Sequence, residues 1–457
     1  MVSLETLVPP DHLLRHLDNH VDFEFIREET RHLYSSDNGR PAIDPVRLFK
    51  MLFIGYLFGI RSERQLVREI EVNVAYRWFV GLRLTDKVID ASTFSQNRRR
   101  RFAGSGIEQT IFDEVVRQAM EAGLVSGKAL YTDSTHLKAS ANKHKFERHE
   151  VTQRPKDYLA SLNEAIDEVR ASKGQAPLKP SDKPPESREV KRSTTDPDSG
   201  YLTREGKPQG FYYLDHRTVD GQHAIITDSY VTPGNVHDSQ PYLRRLDRQC
   251  ATFGLRPRVV GLDAGYQTAA VCEGIESRRL YGVIGYRRPT HRKGYLRKRD
   301  FTYDAETDSY RCPEGQRLFY RTTNRLGYRH YHSNPTQCSS CGYRERCTQS
   351  QNITKVVTRH VWADSVERID GHRLTPKGRR AYARRKETVE RSFADAKQLH
   401  GHRYARFRGL SKVQAQCLLA AACQNMKKIA ILKARLLCLW RICRPSWRLI
   451  PAVTVVC

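Results

Sequence analysis

Long hydrophobic runs are absent from this sequence: no segment reaches the roughly 18 consecutive apolar residues that a membrane-spanning helix needs. The first residues, MVSLETLVPPDH, show no signal-peptide pattern. Acidic residues are scarce, with 51 Asp and Glu against 78 Lys and Arg, which gives a formal net charge of +27. We therefore expect a cytoplasmic protein that does not bind a membrane and whose basic surface attracts a polyanion, with nucleic acid as the first candidate.

Cysteine occurs in an odd and scattered number, 11, which argues against a disulfide framework in a reducing compartment. Hydrophobic residues make up 39% of the chain and charged residues 28%, as in a folded globular protein. A chain of 457 residues can bury a substantial core and is expected to divide into about two to four domains.

The amino-terminal part of the chain, residues 1–125, predicts an all-helical domain. Asp44 and Ser92 each stand where a helix opens, and the second of these helices carries Arg98 and Arg99 among other basic and amide side chains. Short helices with Gln, Asn and Arg clustered at one start suit insertion into a DNA groove. A helical bundle with a solvated basic face explains the same residues equally well.

Two apolar segments that lie far apart in the sequence each end on an aspartate. The segment that includes Leu130 ends at Asp133, and the segment that starts at Val259 ends at Asp263. Each predicts a buried strand followed by residues small enough to admit a ligand. A single strand-ending Asp more often caps the next turn, but two such acids at one sheet edge would form a magnesium site.

Between these two segments the sequence predicts a β-hairpin with Asp220-Gly221 as its turn, and a further strand starts at Tyr281. The predicted order is strand, strand, strand, helix, strand, helix, strand. This is the layout of a ribonuclease H-like fold, an α/β fold with a mixed sheet and helices on both faces. In that layout the first and fourth strands are neighbours, so Asp133 and Asp263 should meet.

A late helix supplies a third acid. It is predicted to begin at Thr375, and it places Glu390 and Lys397 on one face, with Lys386 one turn before the acid. A carboxylate flanked by cations could hold a metal ion while the cations hold phosphates. An ordinary Lys–Glu surface pair has the same spacing and is common, so the pattern alone does not separate the two interpretations.

Two insertions interrupt the predicted catalytic domain. A polar insertion spans about residues 145–195, and a basic, Cys-containing insertion spans about residues 287–360. The second begins with a dense basic loop, which favours contact with phosphates over a solvated face. The residues of this loop that we single out are Arg287, Arg288, Arg292 and Lys293.

The four cysteines of the second insertion form a candidate structural zinc site. Cys338 and Cys341 have the spacing of a chelating turn, and Cys312 and Cys347 could complete a tetrahedral set of thiolates. The wide gap between Cys312 and the other three weakens the pattern. Free, reduced thiols are the alternative interpretation.

Taken together, these segments resemble the DDE transposases of bacterial insertion sequences, in the branch with a Tyr-Arg-Glu-Lys signature around the last acid. The resemblance rests on the helical amino-terminal domain, the Cys cluster, and the segments YTDSTHLKASANKHK, VTPGNVHDS, VVGLDAGY, TVERSFADAKQLHG and HRYARFRGL. It covers most of the chain. It implies a catalytic triad of Asp133, Asp263 and Glu390.

The signature around the last acid matches unevenly. Lys397, seven residues beyond Glu390, fits the Lys of the signature. Tyr382 and Arg385 each lie one residue earlier than the signature expects, and Lys386 stands where its Arg should be. The resemblance implies that Lys397, and Arg385 or Lys386, contact DNA phosphates near the transposon end.

The resemblance also implies the chemistry. Two Mg²⁺ ions, for which Mn²⁺ could substitute, would activate water and then a DNA 3′-hydroxyl for in-line attack on phosphodiesters. Asp133 would bridge both ions, with Asp263 and Glu390 each completing one. The expected partners are double-stranded DNA, as transposon ends and as target, and further copies of the chain. A ribonuclease H-like nuclease without strand transfer and an inactive, transposase-derived DNA-binding protein are the alternatives.

The expected organisation is a helical DNA-binding domain over residues 1–125, a ribonuclease H-like catalytic domain over residues 126–435 and a tail over residues 436–457. The catalytic domain contains both insertions. His237 and Asp238 lie at a strand-to-helix junction, where a helix N-cap is the simpler interpretation and support of the metal site is the other. The tail has no assigned role.

Overall fold

The computed structural model describes residues 3–35, 42–152, 158–179, 187–203, 208–288, 290 and 292–442. These residues form a mixed α/β structure in which a helical amino-terminal region precedes three sheets. Most of the predicted tail lies outside the described residues, as do parts of the polar insertion. Among the described residues, no helix combines the length and the apolar character needed to cross a membrane.

The amino-terminal region is helical, as the sequence predicts. Its α-helices are α1 Leu4–Leu7, α2 Leu13–His20, α3 Phe25–Thr30, α4 Pro45–Leu57, α5 Glu63–Val72, α6 Val74–Val80, α7 Ala91–Asn97 and α8 Ile107–Glu121. A 3-10 turn, Arg31–Leu33, and a π-helical turn, Arg98–Phe102, accompany them. The Asp44 side chain accepts a hydrogen bond from the Val46 amide and so caps α4, and Ser62 caps α5 in the same way.

The rest of the described chain contains three sheets and the helices between them. The strands are β1 Ala129–Lys138, β2 Phe146–Thr152, β3 Ser187–Ser193, β4 Gly200–Leu202, β5 Gly210–Asp220, β6 Ile226–Pro233, β7 Val259–Leu262, β8 Tyr281–Ile284, β9 Thr302–Asp304, β10 Ser309–Arg311, β11 Arg317–Thr323, β12 Tyr328–His332 and β13 Val356–His360. The helices are α9 Leu159–Ser172, α10 Tyr242–Phe253, α11 Ala269–Ser277, α12 Pro335–Ser339, α13 Arg344–Cys347, α14 Ala363–His372, α15 Pro376–Arg385, α16 Arg391–Leu399 and α17 Leu410–Ile442. Shorter turns are the 3-10 turns Ala264–Tyr266 and Lys298–Asp300 and a π-helical turn, Lys386–Glu390.

The central sheet has the strand order β4-β5-β1-β7-β8, and β6 also pairs with β5. Strand β1 is antiparallel to β5 and parallel to β7, and β7 is parallel to β8. The first and fourth predicted strands, β1 and β7, are therefore neighbours, as expected. Thr132 pairs with Leu262 in this ladder, so Asp133 and Asp263 both follow the last residue pair of β1 and β7.

Helices cover both faces of this sheet. A Cβ placed on Gly261 of β7 would lie 3.6 Å from the Cγ of Arg385 at the end of α15. A Cβ placed on Gly282 of β8 would instead lie 2.9 Å from Ile275 of α11 and 3.3 Å from Ile369 of α14. Helix α15 therefore covers one face, and α11 and α14 cover the other.

The basic insertion contains a sheet that the sequence did not predict. Strands β9 to β13 form an antiparallel sheet in the order β13-β12-β11-β10-β9. Its core is small and consists of Phe301, Tyr310, Leu318, Tyr331 and Val357. Several of these strands are short, and their outward faces carry polar and basic side chains, so they lack the long apolar alternation by which a strand is predicted.

The two insertions contact each other, although they are far apart in the sequence. Helix α9 of the polar insertion packs on the sheet of the basic insertion, where Lys173 forms a 2.7 Å ion pair with Asp308. The guanidinium of Arg170 also donates to the hydroxyl of Thr322 at 3.3 Å. Tertiary contacts thus join them into one body beside the central sheet.

The helical region and the central sheet share one hydrophobic core, which extends from Val8 to Ala430. Helix α17 packs against α2, α4, α8 and β6 and so connects the carboxyl-terminal part of the chain to the amino-terminal helices. The segment after α16 adds polar contacts, because His400 Nδ1 lies 3.0 Å from the carbonyl of Tyr56. The boundary predicted near residue 125 thus separates helical from mixed structure, but the core continues across it.

Candidate active site

Asp133 and Asp263 lie on neighbouring strands of the central sheet, at the level where β7 ends. The strand predicted to end at Asp133 continues to Lys138 in the structure, and Asp133 pairs with Arg217 of β5. On the other side β7 ends at Leu262, and the next described backbone pairing along β1 is the bridge between Lys138 and Tyr404. The side chain of Asp133 is 22% exposed and that of Asp263 is 53% exposed, so a ligand in solvent can reach both carboxylates.

Glu390 joins these two acids through Arg385. One guanidinium nitrogen of Arg385, Nη2, lies 2.9 Å from Asp133 Oδ2. The other, Nη1, lies 3.7 Å from Asp263 Oδ1 and 3.9 Å from Glu390 Oε1. The structure thus brings the three predicted acids together around a single, 3% exposed guanidinium that the sequence had assigned to DNA phosphate.

A π-helical turn explains why Arg385 lies one residue early in the sequence. On a regular α-helix, side chains five residues apart point about 140° away from each other. The turn from Lys386 to Glu390 is π-helical, and such a turn accommodates one extra residue. Arg385 therefore faces Glu390 despite the offset, and Tyr382, one α-turn earlier, accepts a 3.2 Å hydrogen bond from Arg385.

The surroundings of Asp133 shift its pKa. Burial raises its pKa to about 6, although the charge of Arg385 and a hydrogen bond from the Ser134 amide act in the opposite direction. That amide donates to Asp133 Oδ1 at 2.8 Å. The carboxylate is therefore held in place from two sides by groups of this chain.

Asp238 is a fourth acid next to the site, and the sequence did not assign it firmly. Its carboxylate accepts a 2.8 Å hydrogen bond from the Ser134 hydroxyl, and a Cβ on Gly265 would lie 3.3 Å from it. Asp238 thus contacts the residue that follows Asp133 and lies close to Gly265, two residues after Asp263. The N-cap interpretation is wrong, because α10 begins only at Tyr242 and His237 instead contacts Ser239, with Nδ1 2.7 Å from its hydroxyl.

A buried polar network lies beneath the site. Among the described residues, one group of three His, Cys, Asp or Glu side chains has ligand atoms all within 4.8 Å of one another: Asp215, His402 and Cys417. The fully buried Arg217 donates to the same Asp215 carboxylate at 2.8 Å. Because the side chains of Asp215 and Arg217 are both completely buried and paired with each other, we interpret the group as an ion-pair network and not as a metal site.

This network supports the helix that carries Glu390. Arg217 Nη1 lies 3.4 Å from the hydroxyl of Ser392, and its guanidinium lies over the ring of Phe393 at 4.9 Å. Both residues follow Glu390 within one turn of α16. The backbone of Arg217 also pairs with that of Asp133 between β5 and β1, so this one residue contacts the elements that carry two of the three acids.

Some of the predicted phosphate-binding residues lie beside the acids. Arg287 and Arg288 are exposed and follow Gly285. Gly285 packs closely against residues next to the acids, because a Cβ there would lie 2.5 Å from Tyr382 Oη and 2.8 Å from the Ala264 amide nitrogen. Lys386 is also exposed, in the π-helical turn itself. The half-buried Lys397 lies on α16, seven residues after Glu390.

The remaining basic candidates are placed differently. Arg98 is engaged within the protein, with a 2.7 Å ion pair to Glu63 and a 4.2 Å contact over the ring of Phe407. Its neighbour Arg99 is exposed. In the basic insertion, Arg292 and Lys293 are exposed, and the guanidinium of Arg292 lies 4.4 Å over a neighbouring tyrosine ring.

The four cysteines of the insertion converge without forming a disulfide. Cys312 and Cys347 both pack against the core of the insertion, and the Cys341 amide donates to the Cys338 carbonyl at 3.3 Å. Burial raises the pKa of the Cys347 thiol, and the other three thiols add to this shift while a nearby lysine opposes it. Among the described residues, no three of these sulfurs lie within 4.8 Å of one another.

Two parts of the sequence match known family models. Residues 2–100 match a family described as a transposase domain (DUF772), and residues 311–430 match a transposase DDE domain. Both are transposase domains. Glu390 and the four cysteines fall inside the second match, whereas Asp133 and Asp263 fall outside both, so neither match covers all three acids.

Comparisons with whole proteins add less. Among curated proteins no match is found. A solved piggyBac transposase synaptic complex with hairpin DNA aligns with 95% of this chain and 82% of its own, at 9% identity and a TM-score of 0.31. A Mos1 mariner paired-end complex with Mn aligns with 55% of this chain and 62% of its own, at 12% identity and a TM-score of 0.17. These TM-scores are too low to assign the fold of this chain.

Proposed function

We propose that this protein is a DDE transposase of a bacterial insertion sequence, of the Tyr-Arg-Glu-Lys type and with a ribonuclease H-like catalytic domain. It binds the ends of its element and catalyses metal-dependent cleavage and transfer of DNA strands. The observation that carries this proposal is the meeting of Asp133, Asp263 and Glu390 around one buried guanidinium. The two transposase domain matches support the same class of protein.

The acids fit a pair of Mg²⁺ ions, with Mn²⁺ as a substitute. Carboxylate oxygens are the ligands that hard divalent cations prefer, and the three acids would hold the ions between them. When bound, such ions activate the attacking oxygen and stabilise the leaving oxygen of a phosphodiester. The residues of this chain orient the acids: the Ser134 amide fixes Asp133, and Arg217 supports the start of α16 behind Glu390.

DNA is the proposed partner, as transposon ends and as target, and several copies of the chain would assemble on it. The net charge of +27 favours such binding and makes it dependent on salt concentration. The exposed side chains of Lys386, Arg287 and Arg288 can bind phosphates of the DNA backbone and so position the DNA at the acids. The proposed phosphate contacts are Lys397, Lys386, Arg385, Arg98, Arg99, Arg287, Arg288, Arg292 and Lys293, although Arg98 has an internal partner in Glu63.

We also propose a structural Zn²⁺ on the four cysteines of the basic insertion. In support, they come from separate segments of the insertion, all remain free thiols, and all lie partly exposed around a core of few residues. A core this small gains much from a metal that links its loops. Zinc binding would draw the sulfurs closer together than they now stand.

The triad is tested by Asp133→Asn, Asp263→Asn and Glu390→Gln, assayed for cleavage and strand transfer on DNA that carries the element's ends, with Mg²⁺. Each variant should lose about 100-fold or more of the rate, because several kcal/mol of metal-dependent stabilisation disappear. End binding in a gel-shift assay should remain. Asp247→Asn, which alters an exposed surface acid, is the matched control.

The same assay separates the alternatives. Cleavage without joining by the wild type would favour a nuclease, and end binding without any chemistry would favour an inactive DNA-binding protein. Near-normal strand transfer by any one of the triad variants would contradict the assignment of that acid.

A further inference from the structure

Arg385 fills the space that the three acids share. Its guanidinium contacts Asp133 at 2.9 Å and lies within 4 Å of Asp263 and Glu390, yet its side chain is only 3% exposed. Three carboxylates that close together repel one another, and a single positive charge among them relieves part of this repulsion. The guanidinium thus offsets part of the repulsion among the three acids.

The course of the backbone after Arg385 places its guanidinium among the three acids. Arg385 is the last residue before the π-helical turn that leads to Glu390, and without that turn it would point away from the acid. Its Nη1 also donates to Tyr382, but its buried Nε has no hydrogen-bond partner among the described residues. The hydrogen bonds of Arg385 in this position are therefore incomplete.

We propose that Arg385 is the built-in counter-ion of the three carboxylates, and that it competes with divalent metal ions for them. This inference rests on the proposed function, because it takes these acids to be the metal ligands. Asp133 Oδ2 accepts from Arg385 at 2.9 Å, so a metal ion held by the same carboxylates would lie close to this guanidinium and the two cations would repel each other strongly.

Metal binding then requires Arg385 to turn away from the acids. A released guanidinium at the rim of the site is suited to a DNA phosphate, because its planar fork binds two phosphate oxygens at once. The role in phosphate binding that the sequence assigned to Arg385 would thus follow metal binding, and the same residue would serve both states. The metal-free protein would keep an assembled and partly neutralised site.

The test measures Mn²⁺ affinity of the full-length protein without DNA, by electron paramagnetic resonance of free Mn²⁺ and by calorimetry. Arg385→Gln should bind Mn²⁺ about tenfold or more tightly than wild type, because one positive charge close to the ligands is gone. Arg385→Lys keeps the charge and should bind Mn²⁺ less tightly than Arg385→Gln. The control Arg384→Gln removes the same charge from the next residue, which is exposed and paired with Glu387, and should leave the affinity unchanged.

Asp133→Asn separates this inference from the function it rests on. If Asp133→Asn binds Mn²⁺ as well as wild type does, the acids are not the metal ligands and the proposed function fails. If Asp133→Asn loses Mn²⁺ but Arg385→Gln binds it equally or more weakly than wild type, the competition is overturned while the metal site stands. Should Arg385→Gln not fold, Arg385→Met, which also removes the charge but keeps a long unbranched side chain, takes its place: equal Mn²⁺ affinity in Arg385→Met, Arg384→Gln and wild type overturns the competition.

Discussion

Replacing Asp215 with Ala should be among the most destabilising single changes in this chain. Its carboxylate is completely buried and accepts hydrogen bonds from Arg217 at 2.8 Å, Ser229 at 3.0 Å and His402 at 2.8 Å. The alanine variant would leave the buried guanidinium of Arg217 without its counter-ion. It would also leave the Ser229 hydroxyl and the His402 imidazole without the acceptor of their hydrogen bonds.

The expected loss follows from these contacts. Removing one partner of a buried ion pair costs about 3–5 kcal/mol, and each further unsatisfied donor adds up to about 1–3 kcal/mol before the structure relaxes. Because such terms are not additive, we expect a loss of about 4–5 kcal/mol in the free energy of unfolding. Strand cleavage should fall as well, since Arg217 supports Ser392 and Phe393 directly after Glu390.

Urea denaturation of the full chain at pH 7 measures this loss. The matched control is Asp247→Ala, which breaks a surface pair with Arg278 and should cost no more than about 1 kcal/mol. A loss below about 1 kcal/mol for Asp215→Ala would refute the reasoning, because it would mean that the buried pair contributes no more than a solvated one.

The pH dependence of stability gives a second measurement. Burial alone would raise the pKa of Asp215, but the charge of Arg217 and the hydrogen bond from His402 outweigh it and hold the pKa below its ordinary value. A lowered carboxyl pKa stabilises the folded state at neutral pH, and this contribution is lost as the pH falls below about 4. Burial also lowers the pKa of His402, so the unfolded chain takes up that proton first and stability should already decline below about pH 6.5.

Two further predictions concern the π-helical turn and the cysteines. Deleting the exposed Glu387 should convert the turn to α-helix and keep Arg385 facing Glu390, so strand transfer should stay within about tenfold of wild type. An alanine inserted after Glu387 should abolish transfer, and equal losses in both variants would contradict the argument. Metal analysis should find zinc in the wild type and in Cys250→Ser but not in Cys338→Ser or Cys341→Ser; a wild type free of zinc would contradict the zinc site.

Much of the scaffold could be predicted from local sequence patterns. The hairpin of β5 and β6 and the apolar segments that lead to Asp133 and Asp263 each report their own structure through a few consecutive residues, although the connection of the hairpin, residues 221–225, is longer than the predicted Asp220-Gly221 turn. The known layout of such strands then made β1 and β7 neighbours, and the pairing of Thr132 with Leu262 agrees with this. The pairing of the two acids followed from topology, which depends on the order of the elements.

Other features had no local signal. The five-stranded sheet of the basic insertion was missed because its strands are short and outwardly polar, and its core assembles from residues dispersed between Phe301 and Val357. The contact between Asp238 and Ser134 spans 104 residues, and the sequence offered only the segment VTPGNVHDS as a hint. The simpler N-cap interpretation failed because α10 starts four residues later than Asp238.

The sequence by itself determined the helical amino-terminal region and the order of β1, β5, β6, β7 and β8, and it singled out three acids, because each depends on local periodicity or on chain order. Only the tertiary structure decided what surrounds those acids. Whether a helical turn takes an α or a π form depends on how its buried side chains, here Thr388 and Val389, pack against the sheet. That packing turns Arg385 toward Asp133, Asp263 and Glu390, and no spacing in the sequence could reveal it.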